Sequence, residues 1–200
     1  AAPVILSKYN VSKFKPKYIL VNSGNANACT GTVGMSNAIK CTKSISKKFS
    51  CLKENVLLSS TGIIGRQLPI DKIIKSIENH DFKFKSTWKQ AASAIMTTDK
   101  FSKHITRSFL LNKIKITINA VCKGAGMIEP NMATMLSFIS INVDLKKLLL
   151  LKILKKAVNS SFNTISVDGD MSTNDTVMLI STGENKEFNF SANAKILKIL

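Results

Sequence analysis

Acidic side chains are few in this 200-residue chain: 12 Asp and Glu face 29 Lys and Arg, for a formal net charge of +17. Arginine is scarcer still, confined to Arg66 and Arg107, so nearly every cation is lysine. The lysines are scattered along the whole length and accompany abundant Ile and Asn, residues that share A/T-rich codons. The charge therefore reads as coding bias, with nucleic acid or anionic lipid as the competing reading. No uninterrupted apolar run approaches the roughly 18 residues of a membrane-spanning helix, and the greasiest stretch, 148–154, is broken by Lys152. The opening Ala-Ala-Pro-Val-Ile-Leu has neither the basic region nor the length of a signal peptide. Cys29, Cys41, Cys51 and Cys122 form no C-x-x-C pair and have no histidine at ligand spacing, which argues against zinc. Without a secretion signal, reduced thiols and a cytoplasmic location are expected, and sequons at Asn10 and Asn159 carry no weight. His80 and His104 sit in polar surroundings that offer no Ser-His-Asp or Cys-His relay.

What is present suffices for a core. Apolar residues make up 44% and charged residues 20%, which excludes overall disorder. No repeat, linker or composition break divides the chain, so residues 1–200 read as a single domain. Strands and helices alternate. Strands are expected over 18–22, 56–60, 134–142 and 176–181, with a pair over 105–121 turning near Asn112. Helices are expected over 36–49, with Ile39, Ile45 and Phe49 inward, and over 86–96. Another follows Pro69, where Ile70, Ile73, Ile74 and Ile77 recur at helical spacing. Asp144 is suited to cap a helix reaching Asn159, with Lys152, Lys155 and Lys156 on one side and leucines on the other. The chain starts without Met in a segment that looks strand-like and stops inside a lysine-leucine pattern over 194–200. Both ends predict a piece of a longer protein.

Several loops hold more Gly, Ser, Thr and Asn than a connector needs. In 166–176, Asp168, Asp170 and Ser172 alternate like an EF-hand, but Thr173 stands where Gly is required and Leu179 where Glu is required. A hydrogen-bonded turn is the plainer account, and no metal is expected. Gly62-Ile63-Ile64-Gly65 has the spacing of a KH-type RNA clamp, yet its central isoleucines give phosphate no donor. A strand-to-helix turn whose N–H groups meet an anion or oxyanion suits it better, with Thr61 adding a hydroxyl. In Lys123-Gly124-Ala125-Gly126-Met127-Ile128-Glu129-Pro130-Asn131-Met132-Ala133-Thr134-Met135-Leu136, a Gly-bearing approach runs into Thr134, where a strand begins. By itself such a threonine is ordinary β-propensity or a nucleophile.

The same block resembles the self-cleavage segment of the ornithine acetyltransferase (glutamate N-acetyltransferase) family of arginine biosynthesis. The stretches 21–31, 60–65, Ala94-Ile95-Met96-Thr97-Thr98-Asp99 and 161–176 are similar to family motifs in the family's order, so the resemblance spans nearly the whole chain. It implies an α/β fold, an αββα-type sandwich of two stacked sheets, cut between Ala133 and Thr134 into α and β chains. Residues 1–133 would then be part of the α chain and 134–200 the start of the β chain. The implied reaction moves acetyl from N-acetylornithine to glutamate through an acetyl-Thr134 intermediate, with no cofactor and with acetyl-CoA as a possible further donor. Thr61 and Gly62 match the oxyanion-stabilising positions, while Thr98 and Lys123 match substrate-binding positions, with Thr97 the neighbouring alternative. The implied assembly is a heterotetramer of paired α and β chains, with no nucleic-acid or membrane partner. Lys100 and Val121-Cys122 depart from the family pattern without removing a catalytic group. The rival expectations are a related self-processing threonine amidase or aminopeptidase, a lysine-based RNA-binding module, and an uncut, inactive remnant.

Overall fold

The structure is a computed structural model describing residues 1–82, 86–111, 113–126 and 135–185. It opens on helix α1 (Ala2–Lys13), where a strand is expected from the apolar Val4-Ile5-Leu6. The buried face of α1 consists of Ala2, Pro3, Ser7 and Asn10, small or polar residues that leave no apolar helical stripe to read. What buries them is the edge of a strand. The Ser7 hydroxyl donates to the Leu58 carbonyl at 2.8 Å and accepts the Leu58 N–H at 2.7 Å, while Asn10 donates to the Val56 carbonyl at 3.0 Å. A helix thus satisfies the backbone of an edge strand in place of a further strand. Ser7→Ala leaves both buried Leu58 groups unpartnered and is expected to cost about 2 kcal/mol, read as a lower urea midpoint at unchanged slope.

After α1 come β1 (Tyr18–Asn25), α2 (Gly31–Phe49) and β2 (Val56–Ile63), a β-α-β unit whose strands pair in parallel from Tyr18↔Val56 to Gly24↔Gly62. The strand alternation sends Tyr18 and Leu20 into one cluster with Ala38, Cys41 and Ile45 of α2, and Ile19 and Val21 to the opposite face. Next, α3 (Ile70–Asn79) follows Pro69 and lays Ile70, Ile73 and Ile77 on the first cluster, as their spacing predicts. α4 (Trp88–Ala94) is shorter than expected at both ends; its start is set by Thr87, which caps it by accepting the Gln90 N–H at 3.2 Å, while Gln90 Oε1 accepts the Thr87 N–H at 2.8 Å.

The second sheet has the order β3 (Lys103–Leu111), β4 (Ile114–Lys123), β5 (Leu136–Val143), β6 (Thr176–Asn185). Its first pairs are antiparallel; β5 and β6 run parallel, joined through α5 (Lys147–Asn159). One face buries Ile116, Ile141 and Val143 with Ile153 of α5, and the other buries Val121, Leu136 and Phe138, against which Ile19, Val21 and Met178 pack. Asp144 does not cap α5: Leu145 is buried and its N–H bonds the Ser181 hydroxyl at 2.9 Å, holding this stretch outside the helix, which starts after Lys146. On α5 the lysines face outward, but so do Leu148 and Leu151. The lysine-leucine pattern at 194–200, Asn112, Ala133 and Thr134 all lie outside the described residues. Among the described residues, no helix is long and apolar enough to cross a membrane, and no cluster of His, Cys, Asp and Glu is placed to hold a metal.

Candidate active site

The last residues of β2, the end of β4 and the start of β5 converge. Parallel pairing sets Ser23 beside Thr61, and antiparallel pairing sets Lys123 opposite Leu136. At this junction lies a fully buried hydroxyl, Thr61, and a lysine only 3% exposed, Lys123. The Lys123 ammonium donates to Thr61 Oγ1 at 2.9 Å and to Thr97 Oγ1 at 2.8 Å. An ammonium has donors only, so both threonine oxygens act as acceptors toward it and their own protons must point elsewhere. The result is a cation and outward-directed O–H donors in one small volume, a setting for an anion or a developing oxyanion. Burial pulls the Lys123 amine below its ordinary value; Asp99 counters this and the Lys103 ammonium reinforces it.

Gly62, next to Thr61, has φ +128°, a backbone favoured by glycine. A Cβ there would stand 2.3 Å from the Gly24 carbonyl carbon and 2.5 Å from the Asn25 nitrogen, so the paired glycines let the strand ends touch. Thr61, Gly62 and Lys123 are therefore brought together. Of the threonine pair, it is Thr97 that meets Lys123, while Thr98 is exposed on the same loop.

Three carboxylates and amides escaped the sequence reading. Asp99 accepts the Lys103 ammonium at 2.6 Å, the Gly124 N–H at 2.9 Å and the Thr97 N–H at 3.4 Å. Burial alone would raise its carboxyl, but the Lys103, Gly124 and Thr97 hydrogen bonds outweigh that and hold it below the usual carboxylate value. Asn174, 1% exposed, donates to the Ala26 carbonyl at 2.6 Å and the Ser60 carbonyl at 2.9 Å, tying the 166–176 turn to β2 and to the residue that follows β1. This is the structural use of the loop that resembled a calcium site. Its neighbour Asp175 accepts the Met135 N–H at 2.8 Å through Oδ1, while Oδ2 is buried with no hydrogen-bond partner among the described residues. Burial pushes this carboxyl up to about 6, against the Met135 and Ser172 N–H groups and the Lys123 charge. A signal for these residues lay in the density of Asn and Asp in quoted motifs, though not in any periodicity.

The raised Asp175 value has a defined sign. The folded state holds the proton more tightly than the unfolded chain, so the associated stability is full below about pH 4 and is lost as pH rises through about 6. Asp175→Asn keeps the acceptor for Met135 and removes the charge. Its melting temperature relative to the parent should rise between pH 4 and pH 7.5, checked by thermal unfolding at both ends.

Comparison with known proteins decides the family. The family model described as the ArgJ family matches residues 1–199. The chain belongs to the ArgJ family. It is 47% identical over 189 residues to the arginine biosynthesis bifunctional protein ArgJ of Caldanaerobacter subterraneus, covering 93% of this chain and 47% of that protein. The mitochondrial ArgJ of Dictyostelium discoideum is 45% identical over 186 residues, covering 92% of this chain and 42% of that protein. Among solved structures, an ArgJ from Bacillus halodurans superposes with a TM-score of 0.61 at 32% identity, covering 68% of this chain and 71% of that one. An ornithine acetyltransferase from Mycobacterium tuberculosis, complexed with ornithine, gives 0.54 at 26% identity over 68% of this chain and 72% of that one. The chain spans about half the length of the curated ArgJ relatives it matches.

Proposed function

We propose that the complete polypeptide is a glutamate N-acetyltransferase of arginine biosynthesis that moves acetyl from N-acetylornithine to glutamate. The observation that carries this reading is the buried Lys123 ammonium held 2.9 Å from the Thr61 hydroxyl, beside Gly62 and opposite the start of β5. Its nucleophile is Thr134, which follows a self-cleavage: the Thr134 hydroxyl adds to the Ala133 carbonyl carbon, the Ala133–Thr134 C–N bond breaks with the proton passing to nitrogen, and water hydrolyses the ester. The freed α-amine has an ordinary pKa near 8 and can take the proton from its own hydroxyl. That hydroxyl then accepts acetyl from N-acetylornithine, releasing ornithine, and passes it to glutamate. The oxyanion of each tetrahedral intermediate is met by the Thr61 O–H and the Gly62 N–H. Lys123, with Thr97 or Thr98, holds substrate carboxylate.

The same reading makes residues 1–133 part of an α chain and 134–200 the start of a β chain, in an αββα sandwich that assembles as paired α and β chains in the cytoplasm. The packing of Ile19 and Val21 against Phe138 supports the stacked sheets. Acetyl-CoA as a second donor would suit the word bifunctional in the relatives' names. Water instead of glutamate as acceptor would make the protein a self-processing amidase, and no cut at all would make it a remnant.

The test is Thr134→Ala in the full-length protein. The parent should appear by intact mass as two pieces, and label from N-acetylornithine should reach glutamate. The variant should stay whole and transfer nothing. An uncut parent that never carries acetyl overturns the reading, and release of acetate without acetylglutamate supports the amidase.

A further inference from the structure

We propose that Asp99 and Lys103 are positioning residues for Lys123, an ion pair built to hold its ammonium against Thr61 and Thr97. The inference rests on the acetyl-transfer reading of the site and goes beyond it to residues that touch no substrate. Asp99 has a side chain with no exposed surface, and its carboxylate grips both main-chain segments that present the lysine cage. Oδ2 accepts the N–H of Thr97, whose hydroxyl receives Lys123. Oδ1 accepts the N–H of Gly124, the residue that follows Lys123. Lys103 completes the clamp: its ammonium meets Asp99 Oδ1 at 2.6 Å and the Gly124 carbonyl at 3.1 Å, so both faces of that residue's backbone are fixed. Lys103 is placed there by the sheet, because it pairs with Cys122 across β3 and β4.

The pair also sets the charge of Lys123. Among the described residues, the groups that act on that amine are Asp99, Lys103, Cys122 and Asp175; Asp99 favours its protonated form and Lys103 disfavours it. The members of one ion pair thus pull in opposite directions, which separates an electrostatic role from a structural one. General loosening of the fold would expose the lysine and move both variants the same way.

The experiment uses the full-length processed enzyme with Asp99→Asn and, separately, Lys103→Gln. The first readout is the pH dependence of kcat/KM for acetyl transfer from N-acetylornithine to glutamate. The second is the pH titration of the Lys123 side-chain nitrogen, followed by NMR in protein labelled with 15N-lysine. Asp99→Asn should move the alkaline limb and the NMR midpoint to lower pH and reduce kcat/KM at pH 7.5 by about 10-fold, an amount equal to roughly 1.4 kcal/mol. Lys103→Gln should move both to higher pH. Shifts in the same direction, or none, overturn the proposal. If Asp99→Asn does not fold, Lys103→Gln decides alone: a midpoint that stays or falls overturns it. Opposite NMR shifts in a protein that transfers no acetyl would retain the ion-pair role and sink the acetyl-transfer reading; unshifted midpoints in an active enzyme do the reverse.

Discussion

Lys123→Met is expected to lower acetyl transfer by about 100- to 1,000-fold, the usual cost of removing a donor from an oxyanion or carboxylate site, without lowering the melting temperature. The reasoning turns on what surrounds the ammonium. Its hydrogen-bond partners are the neutral hydroxyls of Thr61 and Thr97, while the neighbouring carboxylate, Asp99, is engaged by Lys103. A cation kept at 3% exposure on neutral partners stays partly uncompensated, which is why burial depresses its pKa. Methionine fills a similar volume without that penalty, which offsets the hydrogen bonds lost to the Thr61 and Thr97 oxygens. Steady-state kinetics and thermal unfolding on the same preparation check both halves. A variant that melts earlier and transfers normally would show that Lys123 is there for stability.

Gly62→Ala is expected to be strongly destabilising. The added methyl would stand 2.3 Å from the Gly24 carbonyl carbon, a backbone atom that cannot turn aside, at a φ of +128°. Strain at such a φ costs about 1–3 kcal/mol and overpacking about as much again. The expected loss is about 2–6 kcal/mol, seen as a fallen urea midpoint and poor soluble yield. Gly65→Ala is the control, since a Cβ there meets nothing within 4 Å at φ +78° and should show the strain alone. Equal losses at the two positions would mean that the contact with Gly24 is unimportant.

Much of this fold could be read from residue order where one physical signal dominated. Ile70, Ile73 and Ile77 announce α3 by spacing, and the apolar runs of β1, β2, β4 and β5 announce strands. α1 was illegible because its inward side is Ser7 and Asn10, chosen to satisfy strand backbone and invisible to any hydrophobic pattern. The start of α5 was misplaced for a related reason: Asp144 has the chemistry of a cap, but Leu145 is drawn into the core first. Family motifs single out Thr61, Gly62 and Lys123, and the fold sets them side by side. Thr97 and Thr98 are chemically identical neighbours, and only a hydrogen bond in space tells them apart. Asn174 and Asp175 gain their roles from partners remote in the chain, Ala26 and Met135, and Asp99 joins its near neighbours Thr97 and Lys103 to the remote Gly124, so the density of Asn and Asp in the motifs hints at these residues without naming what they hold.

The antiparallel ladder from Ile118↔Ile141 to Lys123↔Leu136 joins a strand that precedes Ala133 to one that follows Thr134. A nick between those residues would therefore change how many polypeptides the particle contains and leave the number of particles unaltered. Denaturing electrophoresis would resolve separate bands, whereas sedimentation would find one species, because each product exposes a row of main-chain groups and a greasy surface that only the other can cover.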